Sequence, residues 1–250
     1  MRIYKYFPLN KNSIDSLSND YLWFSKPRFF NDPFDCNMEV IKYYNDFVNS
    51  ILKLGEDTQD IIINNTKEFG ICCFSETNDN IHMWAHYADS HKGICVEYEA
   101  SGFDDYFSNM LKAKCHLHKV DYRSLPIDLN QPIEWEKNGE TTLYPIDLIL
   151  TCPKLLDQLF EKLLLQKHKL TWGNENELRL LLGGLARKNK LVHETDKGYK
   201  VPLERKMINA IIFGSNICPD LKNTLKEIFK LEVQYKDARL NHREWKLSIV

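Results

Sequence analysis

Three short stretches of this chain concentrate side chains able to hold or transform a ligand. The first runs from Ser25 through Phe30-Asn31-Asp32-Pro33-Phe34-Asp35. A strand ends in a hydroxyl, and a stiff loop then offers an amide, carboxylates and rings. Loops on a rigid scaffold are where binding groups concentrate, so Ser25, Asn31, Asp32 and Phe34 are candidate ligand contacts. The plainer alternative is an Asx-Pro turn pinned in the core by Phe29, Phe30 and Phe34. The second stretch is Ser75-Glu76 followed by His82 to Gly93. His82 and His86 are four apart and share a helix face. With His91 or Asp89 they could ligate a metal, but no HExxH base accompanies them, and a metal is not favoured. Trp84 and Tyr87 are three apart and could stack on a ring, with Ser75, His86 and His91 beside them. The alternative is a helix capped by Asn78 or Asp79 and anchored by Trp84.

The third stretch is Trp172-Gly173-Asn174-Glu175-Asn176-Glu177-Leu178-Arg179. A Glu-x-Glu pair entering a strand brings two carboxylates together. One could stabilise a developing cation while the other orients an acceptor. Glu177, Glu175 and His86 are therefore the candidate catalytic residues, with Trp172 and Arg179 as binding groups. The alternative is a Glu177–Arg179 ion pair on an exposed face, worth at most about 1 kcal/mol.

The elements that must position these groups follow from periodicity. Strands are expected at Arg2–Phe7, Leu22–Ser25, Ile71–Ser75, Gly93–Tyr98, Glu177–Leu182 and Ile208–Gly214. A short helix capped by Asn10 or Asn12 runs through Leu17, and others cover 43–67, His82–Ala88 and Asp220–Lys230. Residues 111–118 alternate Leu111, Ala113, Cys115, Leu117 against Lys112, Lys114, His116, His118, which predicts a strand with a basic face. Leu143–Lys169 reads as helical, interrupted near Pro145 and Pro153. Lys190–His193 with Tyr199–Leu203 suggests a hairpin, and Glu232–Tyr235 and Trp245–Ile249 two last strands. The outcome is an α+β fold: one domain over 1–250 with a mixed or antiparallel sheet flanked by helices, and a helical insertion at about 140–169. No GxGxxG or P-loop motif is present, which argues against a Rossmann or P-loop enzyme.

Composition narrows the function classes. The chain has 250 residues, and 33 Lys+Arg against 35 Asp+Glu give a net charge of −2. That balance excludes a globally basic nucleic-acid footprint. It leaves local clusters at Lys112, Lys114, His116, His118, Lys119 and Arg123, and at Arg187, Lys188 and Lys190. Seven cysteines, an odd count without CxxC spacing, disfavour a disulfide framework or thiolate zinc site. Only Cys95, near His91, and Cys115, beside His116, are candidate reactive thiols. Met1–Pro8 lacks a signal-peptide core, and no stretch approaches the roughly 18 apolar residues of a membrane span. A cytoplasmic location with no membrane partner is expected.

The strings LWFSKPRFFNDPFD (22–35), CFSETNDNIHMWAHYADSHKGICVEY (73–98) and KHKLTWGNENELRLLL (167–182) resemble the bacterial domain-of-unknown-function family 2971. Its members carry an FS-x-P-x-x-FNDP-F-[DE] loop, a CFS strand, an MW-x-HY-x-x-x-H-x-G block and a W-x-x-E-x-E-x-R segment. Many have an aromatic residue where this chain has Asn176. The resemblance implies a cytosolic bacterial or phage-linked protein, sometimes encoded near abortive-infection and phage-defence genes. A more distant similarity is to ADP-ribosyltransferases, whose late Glu-x-Glu bonds the nicotinamide ribose; Glu175-x-Glu177 fits that element. Ser25 or Ser75 would be the middle-strand hydroxyl, and Arg2 or Lys5 the early cation. The expectation is an NAD-using ADP-ribosyltransferase-like or NAD-glycohydrolase-like toxin or defence effector, with NAD as substrate and a nucleic acid or protein as acceptor. The alternatives are a non-catalytic sensor of a nucleotide or phage component, joined to a defence-system partner protein, and a metal-dependent hydrolase or nuclease.

Overall fold

The computed structural model describes residues 1–36, 66–129, 131–137, 139–229 and 232–250. The helical spacing read over 43–67 lies almost wholly outside them. The strands are β1 Arg2–Phe7, β2 Tyr21–Ser25, β3 Gly70–Ser75, β4 Ile94–Glu99, β5 Leu117–Lys119, β6 Asp121–Arg123, β7 Ile133–Lys137, β8 Glu140–Tyr144, β9 Gln166–His168, β10 Glu177–Leu182, β11 His193–Glu194, β12 Gly198–Pro202, β13 Ile208–Phe213, β14 Gln234–Asn241 and β15 Lys246–Ile249. The helices used below are α1 Lys11–Ser18, α2 Ile81–Tyr87, α3 Phe103–Leu111, α4 Ile146–Thr151, α5 Pro153–Leu165, α6 Lys169–Trp172, α7 Gly184–Arg187 and α8 Pro219–Phe229. The class is α+β, as expected. The main sheet runs β11-β12-β2-β3-β1-β4-β13-β14-β15, with β10 on β3 and β5 on β10. Its pairings are antiparallel except β13 with β14.

Alternation along the strands separates two faces. Ile3, Phe7, Leu22, Phe24, Phe74, Val96, Tyr98, Leu178 and Leu180 join Phe103, Phe107 and Leu111 of α3 in the principal core. The opposite face carries two smaller apolar clusters. One gathers Ile71 and Leu181 with Ile149, Leu159 and Leu163 from α4 and α5. The other gathers Tyr6, Cys95 and Ile212 with Met83 and Trp84 from α2.

The sheet divides between these clusters. β3 is paired along its whole length with β10, Glu177 facing Ser75 and Leu182 facing Gly70. Its other edge is shared: β1 meets it at Tyr4↔Ser75 and β2 at Ser25↔Ile71. β1 and β2 therefore diverge along β3. A backbone carbonyl left without a strand partner needs another donor. At Cys73 that donor is the Lys5 ammonium, 2.9 Å away.

Most boundaries match the sequence reading, and the departures have local causes. Residues 111–118 are not a strand. Leu111 closes α3 at the helical spacing of Phe103 and Phe107, Lys112 turns left-handed (φ 55°), and only Leu117–Lys119 pairs with β10. Two periodicities overlap there, and the helical one takes Leu111 because Phe103, Phe107 and Leu111 are buried together. The basic residues are also answered by acids, three of them distant in sequence. Lys114 pairs with Glu161, His116 with Asp104, Lys119 with Glu76 and Arg123 with Asp121. The segment from Leu143 begins as the end of the β7–β8 hairpin, and its helices start at Pro145 and Pro153, where a missing N–H costs nothing. The cap of α2 is Asn80 rather than Asn78 or Asp79; its Oδ1 accepts from His82 N at 2.9 Å and Met83 N at 3.3 Å.

The turn after α2 is built without slack. Asp89, Ser90 and His91 are all left-handed, and a Cβ at Gly93 would stand 2.2 Å from the Phe7 carbonyl oxygen. Gly93→Ala is expected to destabilise the protein by about 3 kcal/mol, measured by urea unfolding, because the atoms it would meet, the Phe7 carbonyl oxygen and the Ala88 backbone at 2.9 Å, cannot swing aside.

Candidate functional site

The three chemistry-bearing stretches converge. A cavity of about 460 Å³ opens where β1 and β2 diverge, and each stretch contributes to its lining. Asn31 and Asp35 come from the first, His86 and Tyr87 from the second, Glu175 and Glu177 from the third. Tyr4, Lys5 and Tyr6 of β1, Phe30 and Lys167 complete much of the wall.

Local sequence explains each placement. Pro27 opens a 3-10 turn, Asp32 Oδ1 accepts from Phe34 N at 2.9 Å, and Asp35 N donates to the Asp32 carbonyl. This Asx turn carries Asp35 inward and leaves Phe34 83 % exposed and Phe29 44 % exposed. Those two rings are therefore not core pins. In the third stretch a 3-10 turn over Gly173–Glu175 ends at Asn176 in the left-handed region (φ 46°, ψ 53°). Asn tolerates that conformation where an aromatic or branched residue is strained. The reversal sets Glu175 and Glu177 on one cavity.

Beneath the cavity lies an ion network. Arg179 is fully buried. It binds Asp35 through two N–H···O bonds, 2.8 and 2.7 Å, and Glu177 through Nε at 2.8 Å and Nη2 at 3.1 Å. Nη1 also donates to the Leu164 carbonyl at 2.6 Å. Lys167 donates to Glu175 at 2.6 Å and to Glu177 at 3.0 Å, stands 3.6 Å from Asp35, and lies 4.7 Å from the centre of the Trp172 ring. Tyr87 Oη donates to Glu175 Oε1 at 2.6 Å. Within the network three carboxylates face two cations, and the Lys5 ammonium in the cavity wall brings the formal balance to zero.

Burial pushes the Glu177 carboxyl up, but Arg179 and Lys167 outweigh it and hold it at about 2. Burial lowers Lys167, and the three carboxylates more than reverse that, keeping it charged. Burial, then Glu175, raises the Tyr87 phenol, which stays a neutral donor. With its pKa far below neutrality Glu177 is a poor base; what it offers is a fixed charge. The exposed-ion-pair alternative for Glu177 and Arg179 is overturned, since neither is exposed.

The remaining candidates lie elsewhere. Ser75 Oγ donates to the Glu175 carbonyl at 2.7 Å and accepts from Thr77 N, tying β3 to the turn before β10. Ser25 sits within the sheet between Gly198 and Ile71. Trp84 is fully buried, its indole N–H on the Asn78 carbonyl, so it anchors α2 rather than offering a stacking face. His91 lies parallel to Trp84 at 6.3 Å, and burial lowers its pKa. Asp32, Phe34 and Trp172 line an adjoining cavity. Among the described residues no three His, Cys, Asp or Glu side chains are arranged to hold a metal ion. Cys95 and Cys115 are buried with thiols pushed up by desolvation, Cys115 to about 12, so neither is an activated nucleophile.

Sequence reasoning missed Asp35 and Lys167. Asp35 closes the FNDPFD loop and was the available signal. Lys167 had none, because nothing local marks a lysine on a three-residue strand as buried.

Residues 83–180 match the family model described as Protein of unknown function (DUF2971). This is the family that the motifs resemble. The DUF2971 segment contains α2, Lys167, Glu175, Glu177 and Arg179, while the loop at 26–35 lies outside it. No curated protein and no solved structure matches the chain. No helix among the described residues is long and apolar enough to cross a membrane.

Two outcomes follow from the network. Arg179→Met leaves the buried Asp35 and Glu177 with Lys167 as their remaining cation in the network, and should cost about 3–5 kcal/mol in denaturant unfolding. Glu177 has a folded pKa depressed to about 2, below an unfolded value near 4.5. Its contribution is present above that unfolded value and is lost as pH falls towards about 2. Integrated, the shift amounts to about 3 kcal/mol. Glu177→Gln should therefore flatten the acid limb of stability between about pH 5 and 2, read from urea unfolding across pH.

Proposed function

We propose that the cavity binds a nucleotide carrying a positively charged aromatic ring, with NAD as substrate, and that the protein is an ADP-ribosyltransferase-like or NAD-glycohydrolase-like enzyme. The observation that carries this reading is the row of three buried carboxylates, Asp35, Glu175 and Glu177, under a cavity walled by Tyr4, Tyr6, Phe30 and Tyr87. A pyridinium ring suits aromatic walls and a carboxylate floor. On cleavage of the bond from the ribose carbon to the ring nitrogen, the electron pair leaves with neutral nicotinamide. The positive charge then moves to the ribose. Glu177, ionised and held by Arg179 and Lys167, stabilises that charge without reorganising. Glu175 orients the acceptor, water or a group on a macromolecule. In a bacterial cell such an enzyme would act as a toxin or defence effector.

The test is nicotinamide release from NAD, followed by chromatography, together with labelling of macromolecules by ADP-ribose. Glu177→Gln is expected to lower kcat by about 10²-fold or more, as loss of a preorganised charge does. A wild-type protein that neither consumes NAD nor modifies any macromolecule sinks the enzymatic reading.

A second reading is a nucleotide-sensing protein without turnover. It is favoured by the saturation of the carboxylates: the oxygens of Glu175 and Glu177 are engaged by Tyr87, Lys167 and Arg179. A nucleotide that raises Tm and is recovered intact selects this reading.

A further inference from the structure

A second cavity of about 570 Å³ adjoins the first at Lys167, which lines both. The loop at 29–35 serves as a partition. Phe29, Phe30, Asn31 and Asp35 line the first cavity, and Asp32, Pro33 and Phe34 the second. The opposite walls come from Leu125 and Pro126, after β6, and from Trp172 at the end of α6.

We propose that this cavity is a second binding site, taking a flat, uncharged aromatic group. Its volume lies in the range of small-molecule sites. Its apolar lining comes from Phe34, Trp172, Pro33, Pro126 and Leu125, beside the polar Ser124, Gln166 and Thr171. Phe34 is 83 % exposed and Leu125 77 % exposed, so two large apolar side chains border one concavity and remain in water. A ligand seated there would remove both from water, the driving force for an apolar guest.

The charged lining argues for neutrality. Arg123 is paired with Asp121 at 2.9 Å, and Asp32 accepts from its own loop at Phe34 N. Lys167 is committed to Glu175 and Glu177 on the other side of the partition. His168 Nδ1 is hydrogen-bonded to Thr171 Oγ1 at 2.8 Å. An anionic group would compete with partners already in place, whereas an aromatic ring needs only the apolar walls. This site is independent of the NAD reading, because none of its aromatic walls lines the first cavity.

The test is fluorescence titration of the full chain with the neutral dye N-phenyl-1-naphthylamine, with sedimentation at the same concentrations. Saturable binding of one dye per chain is expected. It should weaken more than tenfold in Leu125→Glu and in Phe34→Ser, both at exposed side chains, and be unchanged in Tyr87→Phe of the first cavity. Far-UV circular dichroism of each variant checks that it is folded. Absence of saturable binding to the wild type overturns the proposal. So does binding that survives both substitutions, or is lost equally in Tyr87→Phe. A wild-type dimer converted to monomer by Leu125→Glu also overturns it, since a second copy of the chain would then be the natural occupant.

Discussion

The guanidinium of Arg179 is the constraint on which the site depends. It is fully buried, and its charge is tolerated because Asp35 and Glu177 surround it in fork geometry and the Leu164 carbonyl takes a further N–H. Each partner comes from a different part of the chain: the loop after β2, the start of β10 and the end of α5. Satisfying one cation therefore fixes three segments against one another. Lys167 extends the arrangement to Glu175, and Tyr87 ties Glu175 to α2. A set of this kind is costly when incomplete, because losing Arg179 leaves three buried carboxylates in the network to the single charge of Lys167.

The divided sheet supplies the space above that network. Had β1 or β2 paired along all of β3, no opening would remain between the two apolar clusters on that face. The divergence leaves the Cys73 carbonyl to Lys5, so the same event that opens the cavity places a cation in its wall. The asymmetry of the molecule follows. One face is a continuous core under α1, α3 and α8. The other is interrupted where the functional groups gather.

Rigidity at the remaining corners comes from turns rather than from extended pairing. Asn176 reverses the chain between the two glutamates. The left-handed run Asp89–His91 returns the chain from α2 to β4, with Gly93 against the Phe7 carbonyl. The ring of His91 lies against Trp84, and Ser75 ties the end of β3 to Glu175. Several residues that looked like ligand contacts by type thus hold the ligand-facing ones in place. Residue type alone does not separate the two roles, since a buried hydroxyl or imidazole bonds equally well to backbone or to ligand.

The sequence by itself determined the elements and the membership of the site's segments. Continuous apolar runs marked β3 and β13, alternation marked β10, Asn10 or Asn12 marked the start of α1, and the Phe-Asn-Asp-Pro, His-Tyr and Glu-x-Glu stretches named the three segments that meet. These are local signals, and local physics carries them. Leu111–His118 shows the limit of such signals, because one residue can satisfy two periods and packing chooses between them. Only the tertiary structure decided that Asp35 and Lys167 complete the ion network, that Glu177 and Arg179 are buried rather than exposed, and that Trp84 is core. The basic stretch from 112 to 123 was likewise matched by acids as distant as Glu76, Asp104 and Glu161. The reason is common to all of these. Burial and charge compensation depend on which segments are brought together from far apart in the chain, and no spacing along the chain records that.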